Sequence, residues 1–254
     1  MVPEKPIRSG AVEVVAIDGP SGAGKSTVAR LCADRLGFQY LDTGAMYRAV
    51  TWLFLENSCA PDQHVENPSV LERTMREMLD SMVLELLPKG RVLINGRDVT
   101  THLRSHMVEV RVSAVSALAF VREAMGKLQR RVAEQGPVVA EGRDMGSVVF
   151  PDARWKIYLD ARPEERARRR QKDFHMRGRV VTQKEVLAEL EVRDRLDSTR
   201  KDAPLREAEG AWRIDTTGMD TDAVVLAIVD RVRDSGATNS GDAGSTAYDS
   251  GPDS

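Results

Sequence analysis

The chain has 254 residues and a net charge of −2, with 41% hydrophobic and 30% charged residues. That balance suits one large or two small domains with an apolar core. It argues against a general nucleic-acid binder, which carries a strong basic excess, and against a membrane span, which needs ~20 apolar residues in a row.

In chain order, residues 1–11 read as a loose arm, and the apolar run Val12–Ile17 predicts a strand. The opening Met1–Pro6 lacks the apolar region of a signal peptide. Next comes Gly19-Pro20-Ser21-Gly22-Ala23-Gly24-Lys25-Ser26-Thr27, then a helix predicted over Lys25–Leu36. The pattern G-x-x-x-x-G-K-[ST] between a strand and a helix is a phosphate-binding P-loop. Glycines let the main chain wrap tightly and aim its N–H groups inward, and the helix N-terminus adds partial positive charge. Lys25 is expected on the β- and γ-phosphates, and the Ser26 hydroxyl on Mg²⁺.

A strand over Phe38–Leu41 and a helix over Ala45–Glu56 follow. Residues 62–104 break the alternation. A helix over Asn67–Leu79 leads into a hairpin of Met82–Leu87 and Arg91–Ile94 through Pro88-Lys89-Gly90, with a second turn at Asn95-Gly96. Beyond it lie strands at Val138–Ala140, Trp155–Leu159 and Arg213–Ile214, and helices at Pro163–Asp173, Gln183–Leu196 and Thr221–Val232. From 234 the chain is nearly free of apolar residues and reads as a disordered tail. The expected fold is α/β: a parallel P-loop sheet wrapped by helices, with an insertion holding a small antiparallel sheet and with ligand at the strands' C-terminal ends. There are no internal repeats. Cys32 and Cys59, the only two cysteines, read as free thiols in a reducing cytoplasm.

Arginines refine the reading. Arg48 lies on the first turns of a helix after Thr43-Gly44, and Glu141-Gly142-Arg143-Asp144 follows a strand at the sheet's ligand end. Arg193, Asp197 and Arg200 share a helix face that Val186 and Leu190 begin, which suits a cleft wall, with a solvated charged face as the alternative. Arg162, Arg166 and Arg170 repeat along one stripe, where like charges repel unless an anion lies between them. A triphosphate is such an anion; a nucleic-acid patch and a solvated basic helix are the rivals. No guanine-reading N-K-x-D motif is present, and no apolar run ends in the Asp-Glu of a motor ATPase, although Glu141 stands alone at a strand end.

With these residues in hand the sequence resembles the bacterial-type cytidylate kinases, in the nucleoside monophosphate kinase group. Ile17–Thr27, Leu41-Asp42-Thr43-Gly44-Ala45-Met46-Tyr47-Arg48, Glu141–Ala153 and Arg193–Arg200 carry the resemblance, which covers about residues 12 to 232. It implies transfer of the ATP γ-phosphate to CMP or dCMP, with Mg²⁺, by one kinase domain over 12–233 with an acceptor-binding insertion at 62–104 and a short lid at 166–180. It implies that Thr43, Arg48, Arg143 and Arg193 lie near the acceptor phosphate and sugar, that Ser113, Arg122 and Asp144 read the cytosine, that Asp197 contacts the sugar and that Arg200 lines the same pocket. Arg166 and Arg170 fall in the lid that reaches the donor phosphates, so Lys25, Arg143, Arg166 and Arg170 are the expected catalytic cations. A cytoplasmic monomer acting in pyrimidine metabolism, without nucleic acid or membrane, completes the expectation. The family commonly has Ser at 43 and Thr at 147; both replacements keep a hydroxyl. Two other classes stay open on the residues alone: a P-loop kinase for a small alcohol or acid, and a nucleotide-binding switch without catalysis.

Overall fold

The computed structural model describes residues 13–60 and 67–237. The expected loose arm 1–11, the start of the insertion at 62–66 and the tail from 238 lie outside the described residues. Five strands form the main sheet: β1 (Val14–Asp18), β2 (Gln39–Asp42), β6 (Val138–Gly142), β7 (Trp155–Asp160) and β8 (Trp212–Asp215). They pair in the order β2-β6-β1-β7-β8, all parallel. Helices α1 (Lys25–Leu36), α2 (Thr43–Glu56), α5 (Ala119–Glu134), α6 (Pro163–Met176), α7 (Gln183–Thr199) and α8 (Thr221–Ala237) surround it. Helix α8 runs a turn past the boundary expected at 233.

Both faces of the sheet are covered, which is why β1 reads as an unbroken apolar run and not as an alternation. Val14 and Ala16 join the core beneath α2 and α5, while Val15 and Ile17 join the core beneath α1 and α8. The period-2 geometry of a strand sends successive side chains to opposite faces. Because the strands all run parallel, their C-terminal ends, and the loops that follow them, lie at one rim.

The insertion is as expected in kind. Helix α3 (Pro68–Ser81) is capped by Asn67, and β3 (Leu84–Leu87), β4 (Arg91–Ile94) and β5 (Arg97–Asp98) make an antiparallel sheet. The sequence reading leaves 105–137 unassigned, whereas the structure has α4 (His106–Ala117) and α5 there. Helix α4 buries Val108, Val112 and Val115 on one stripe.

The expected lid at 166–180 falls on helical structure. Residues 166–180 are the body of α6 and its stop. Gly178, expected as a hinge, has φ +76 and closes the helix: its N–H donates to the His175 carbonyl, and the Arg179 N–H to Phe174. That is a left-handed helix ending. Phe174, with Val186 and Leu190 of α7, packs this segment onto its neighbour.

Candidate active site

The loop between β1 and α1 approaches β7 so closely that only glycine fits. A Cβ on Gly19 would lie 1.9 Å from the Leu159 carbonyl oxygen. The loop's main chain then curls over the start of α1, where Lys25 is buried and donates from Nζ to the Pro20 carbonyl at 2.7 Å. Burial, helped by the charge on Arg143, pushes the Lys25 ammonium down to about 7. Such a lysine gains most when anionic oxygens arrive beside it.

Beside it the Ser26 hydroxyl donates to Glu141 Oε1 at 2.6 Å, and the Tyr40 hydroxyl reaches the same oxygen at 3.4 Å. A serine hydroxyl and one carboxylate are hard oxygen donors. Among the described residues there is no cluster of three or more His, Cys, Asp or Glu suited to a metal. This pair fits Mg²⁺, which keeps waters and substrate phosphate oxygens in its shell and takes few protein ligands.

One cleft of about 800 Å³ joins this loop to the far wall. Its lining brings together Ser21 through Thr27, Thr43, Arg48, Arg122, Arg143, Asp144, Arg170, Arg193, Asp197 and Arg200. Asp42 caps α2 through the Ala45 N–H at 2.7 Å and lies 3.4 Å from Arg48. Thr43 fixes the α2 start to β6 by donating to the Glu141 carbonyl at 2.6 Å. The Arg143 Nε donates to Asp197 at 2.8 Å. Asp144 is 1% exposed, bonded to Arg122 on one side and 3.6 Å from Arg200 on the other.

Charge in the middle of the cleft is unbalanced. Burial lowers Arg48 to about 10, and burial with the neighbouring Arg143 charge does the same to Arg193. The Nε atoms of both are buried without a hydrogen-bond partner. Arg104, from the short turn before α4, adds a further cation to the lining and disfavours the charge on Arg48. Cations held this way call for an anion between them. The Arg193–Arg200 stripe is therefore a cleft wall and not a solvated face.

Two expected residues stand elsewhere. Arg166 is absent from the lining: buried, it donates from Nε to the Ala161 carbonyl and from NH1 to the Ser21 carbonyl at 3.1 Å each, and pairs with Asp194. It braces the P-loop from behind. Ser113 is also outside the lining; Ser116, one turn along α4, is in it, and donates to the Ser113 carbonyl at 3.0 Å. The stripe itself is not self-repelling. Asp194 answers Arg166, Glu109 answers Arg170 at 2.7 Å, and Glu165 answers Arg168 and Arg169 at 2.8 Å. Among the arginines around them, Arg169 also joins the donor side, donating to the Thr216 hydroxyl and carbonyl at 2.9 and 2.7 Å.

Known proteins resemble this chain over most of its length. The family model described as cytidylate kinase matches residues 15–234. A cytidylate kinase from Carboxydothermus hydrogenoformans is 46% identical over 219 residues, covering 85% of this chain and 95% of that protein. A bifunctional pantoate ligase/cytidylate kinase from Synechococcus sp. (strain CC9902) is 49% identical over 219 residues, covering 85% of this chain and 44% of its own length. The chain thus spans less than half of such bifunctional relatives. A solved gluconokinase from Sinorhizobium meliloti 1021 aligns at 15% identity and TM-score 0.40, over 90% of this chain and 98% of that one. The chain belongs to the cytidylate kinase family.

Proposed function

We propose that this chain transfers the γ-phosphate of ATP to CMP or dCMP, giving ADP and CDP or dCDP, in cytoplasmic pyrimidine nucleotide metabolism. The observation that carries the reading is the surplus of cations, the buried Lys25 and Arg48 and the half-buried Arg193, in one cleft between a phosphate loop and the Arg122–Asp144–Arg200 cluster. Phosphoryl transfer between two nucleotides concentrates negative charge, and its transition state spreads that charge over the equatorial oxygens of the moving group. Catalysis is then positioning and cationic stabilisation.

Each residue has a task. Lys25 and the loop N–H groups hold the β- and γ-phosphates. Arg48, Arg143 and Arg193 hold the acceptor phosphate and neutralise the transferring group. Arg170 adds charge from α6 once it exchanges Glu109 for phosphate. Asp144 accepts from the cytosine amino group, while Arg122 donates to its N3 and O2 edge. Asp197 orients Arg143 and faces the sugar. Ser26 and Glu141 would hold Mg²⁺, which would supply neutralisation of phosphate charge. Asp144 and Arg122 keep their mutual ion pair with any base, but a base with a different edge leaves their remaining acceptor and donor sites unmatched, and such mismatches are rejected strongly.

The test is an acceptor screen: the 254-residue chain with ATP, Mg²⁺ and each nucleoside monophosphate in turn, with ADP measured. CMP and dCMP are expected first, AMP and GMP far behind. Equal rates with AMP would overturn the cytosine reading, and no ADP from any acceptor would overturn the kinase reading.

A further inference from the structure

Asp18 ends β1 and directly precedes the phosphate loop. It is 2% exposed. Its two carboxylate oxygens accept from the main-chain N–H groups of Met145 and Gly146, each at 2.8 Å. Those two amides begin the wide turn that follows Arg143 and Asp144, a turn closed by the Phe150 N–H on the Met145 carbonyl at 2.7 Å. The carboxylate thus joins two stretches far apart in sequence. On one side is the loop that holds the donor. On the other is the Arg143–Asp144 pair, held by Asp197, Arg122 and Arg200.

An ionised carboxylate this deep is costly unless it is well paired. Burial lifts its pKa to about 6; the two amides oppose that, Asp144 adds to it, and Lys25 subtracts. At neutral pH it is ionised and accepts from both amides. A fixed pair of bonds to consecutive N–H groups sets the direction of a chain segment as well as its position. Packing is tight on the far side too: a Cβ on Gly146 would come 3.2 Å from the Ala208 Cβ and 3.3 Å from the Lys156 Cγ. The turn therefore has little room to drift.

We infer that Asp18 is a positioning residue for the acceptor: its two-point anchor fixes Arg143 and Asp144 relative to the phosphate loop and so sets the spacing of the two nucleotides. The inference rests on the acceptor role proposed for Arg143 and Asp144.

Asp18→Asn keeps the shape but leaves one acceptor oxygen, and turns an NH₂ group toward the second N–H. The experiment is calorimetric binding of CMP and, separately, of ATP with Mg²⁺, alongside steady-state transfer and a melting curve. CMP affinity is expected to fall about tenfold, with a drop in kcat, while ATP affinity stays within about twofold. Unchanged CMP affinity, an equal loss for both nucleotides, or a loss for ATP alone would each overturn the inference. Should Asp18→Asn fail to fold, Gly146→Ala decides, because it displaces the anchored turn while leaving Asp18 in place. It is expected to weaken CMP about threefold and leave ATP unchanged, and a variant equal to the parent in CMP binding overturns the anchor. Failure of the underlying reading looks different. A parent chain that ignores CMP and dCMP but phosphorylates another monophosphate would overturn the cytosine assignment, and the same two variants would then be compared with that acceptor.

Discussion

The proposed donor half of the cleft comes mainly from one short stretch, Gly19 to Thr27, with Arg169 and Arg170 of α6 beside it, and presents main-chain N–H groups and the buried Lys25. The acceptor half is gathered from α2, α5, the end of β6 and α7, and works through side chains: Thr43, Arg48, Arg122, Arg143, Asp144, Arg193 and Arg200. Main-chain N–H groups persist through most substitutions, proline excepted, so on the proposed reading the donor half stays committed to one kind of ligand, phosphate. Side-chain groups change one at a time, so the acceptor half is where choice of base resides. The two halves meet at few points, among them Asp18 and Glu141.

The sharpest way to break this division is Lys25→Ala. Lys25 is the one charged side chain within the donor loop. Its loss should lower kcat by about 10²–10³ or more, as for other single charge stabilisers, with CMP binding and the melting temperature held. Burial already disfavours the lysine's charge, so its removal should cost the fold little. Near-normal turnover in a folded variant would refute the donor assignment.

Asp144→Ala tests the other half. It leaves Arg122 and Arg200 without their shared carboxylate and removes the partner of the cytosine amino group. The KM for CMP should rise about 10- to 100-fold, the usual cost of an unpaired buried polar group, and the KM for ATP should change little. Steady-state kinetics with each substrate varied in turn decides it. A defect larger for ATP would move Asp144 to the donor half.

The α6 arginines separate the halves further, because two residues four apart have different surroundings. Arg170 lines the cleft and is held by Glu109; Arg166 is buried against Ser21 and Asp194. Arg170→Ala should lower kcat about tenfold while calorimetric CMP binding stays the same, with partial recovery in Arg170→Lys, whose point charge lacks the bidentate fork. Arg166→Ala should instead lower the melting temperature, since it leaves Asp194 unpaired and the loop unbraced. If Arg166→Ala matched Arg170→Ala in rate and stayed fully stable, both would belong to the chemistry and the difference in what they face would mean nothing.

These contrasts also mark what could be read from the sequence. The phosphate loop was legible because its parts are contiguous and its glycines answer a local backbone need. The parallel sheet was legible because both of its faces are buried and its strands form apolar runs. The partners of Arg166 and Arg170 were not, because Asp194 and Glu109 lie on other helices and nothing local encodes those pairings. Helix α4 went unread because its buried stripe is valine, a residue that leans toward strands. Ser113 and Ser116 sit one turn apart on that helix, so the exact facing residue depends on how α4 is rotated against the cleft.

The smallest expected effect draws the same line in protons. In the free chain Lys25 is pushed down to about 7, whereas Arg48 and Arg193 are pushed only to about 10. At pH 8 Lys25 is then mostly neutral and both arginines are still charged. Triphosphate beside Lys25 favours its ammonium and raises its pKa toward the ordinary value of 10.5. Binding of ATP at pH 8 should therefore take up close to one proton, and the uptake should fall to about half at pH 7 and vanish by about pH 6, where Lys25 is protonated before ATP arrives. CMP, facing arginines already charged, should take up close to none. Titration calorimetry at pH 8 in buffers of different ionisation enthalpy reads the proton count as a slope. A flat line for ATP would show that the lysine is charged in the free chain. An equal slope for both nucleotides would show that the two halves of the cleft titrate as one.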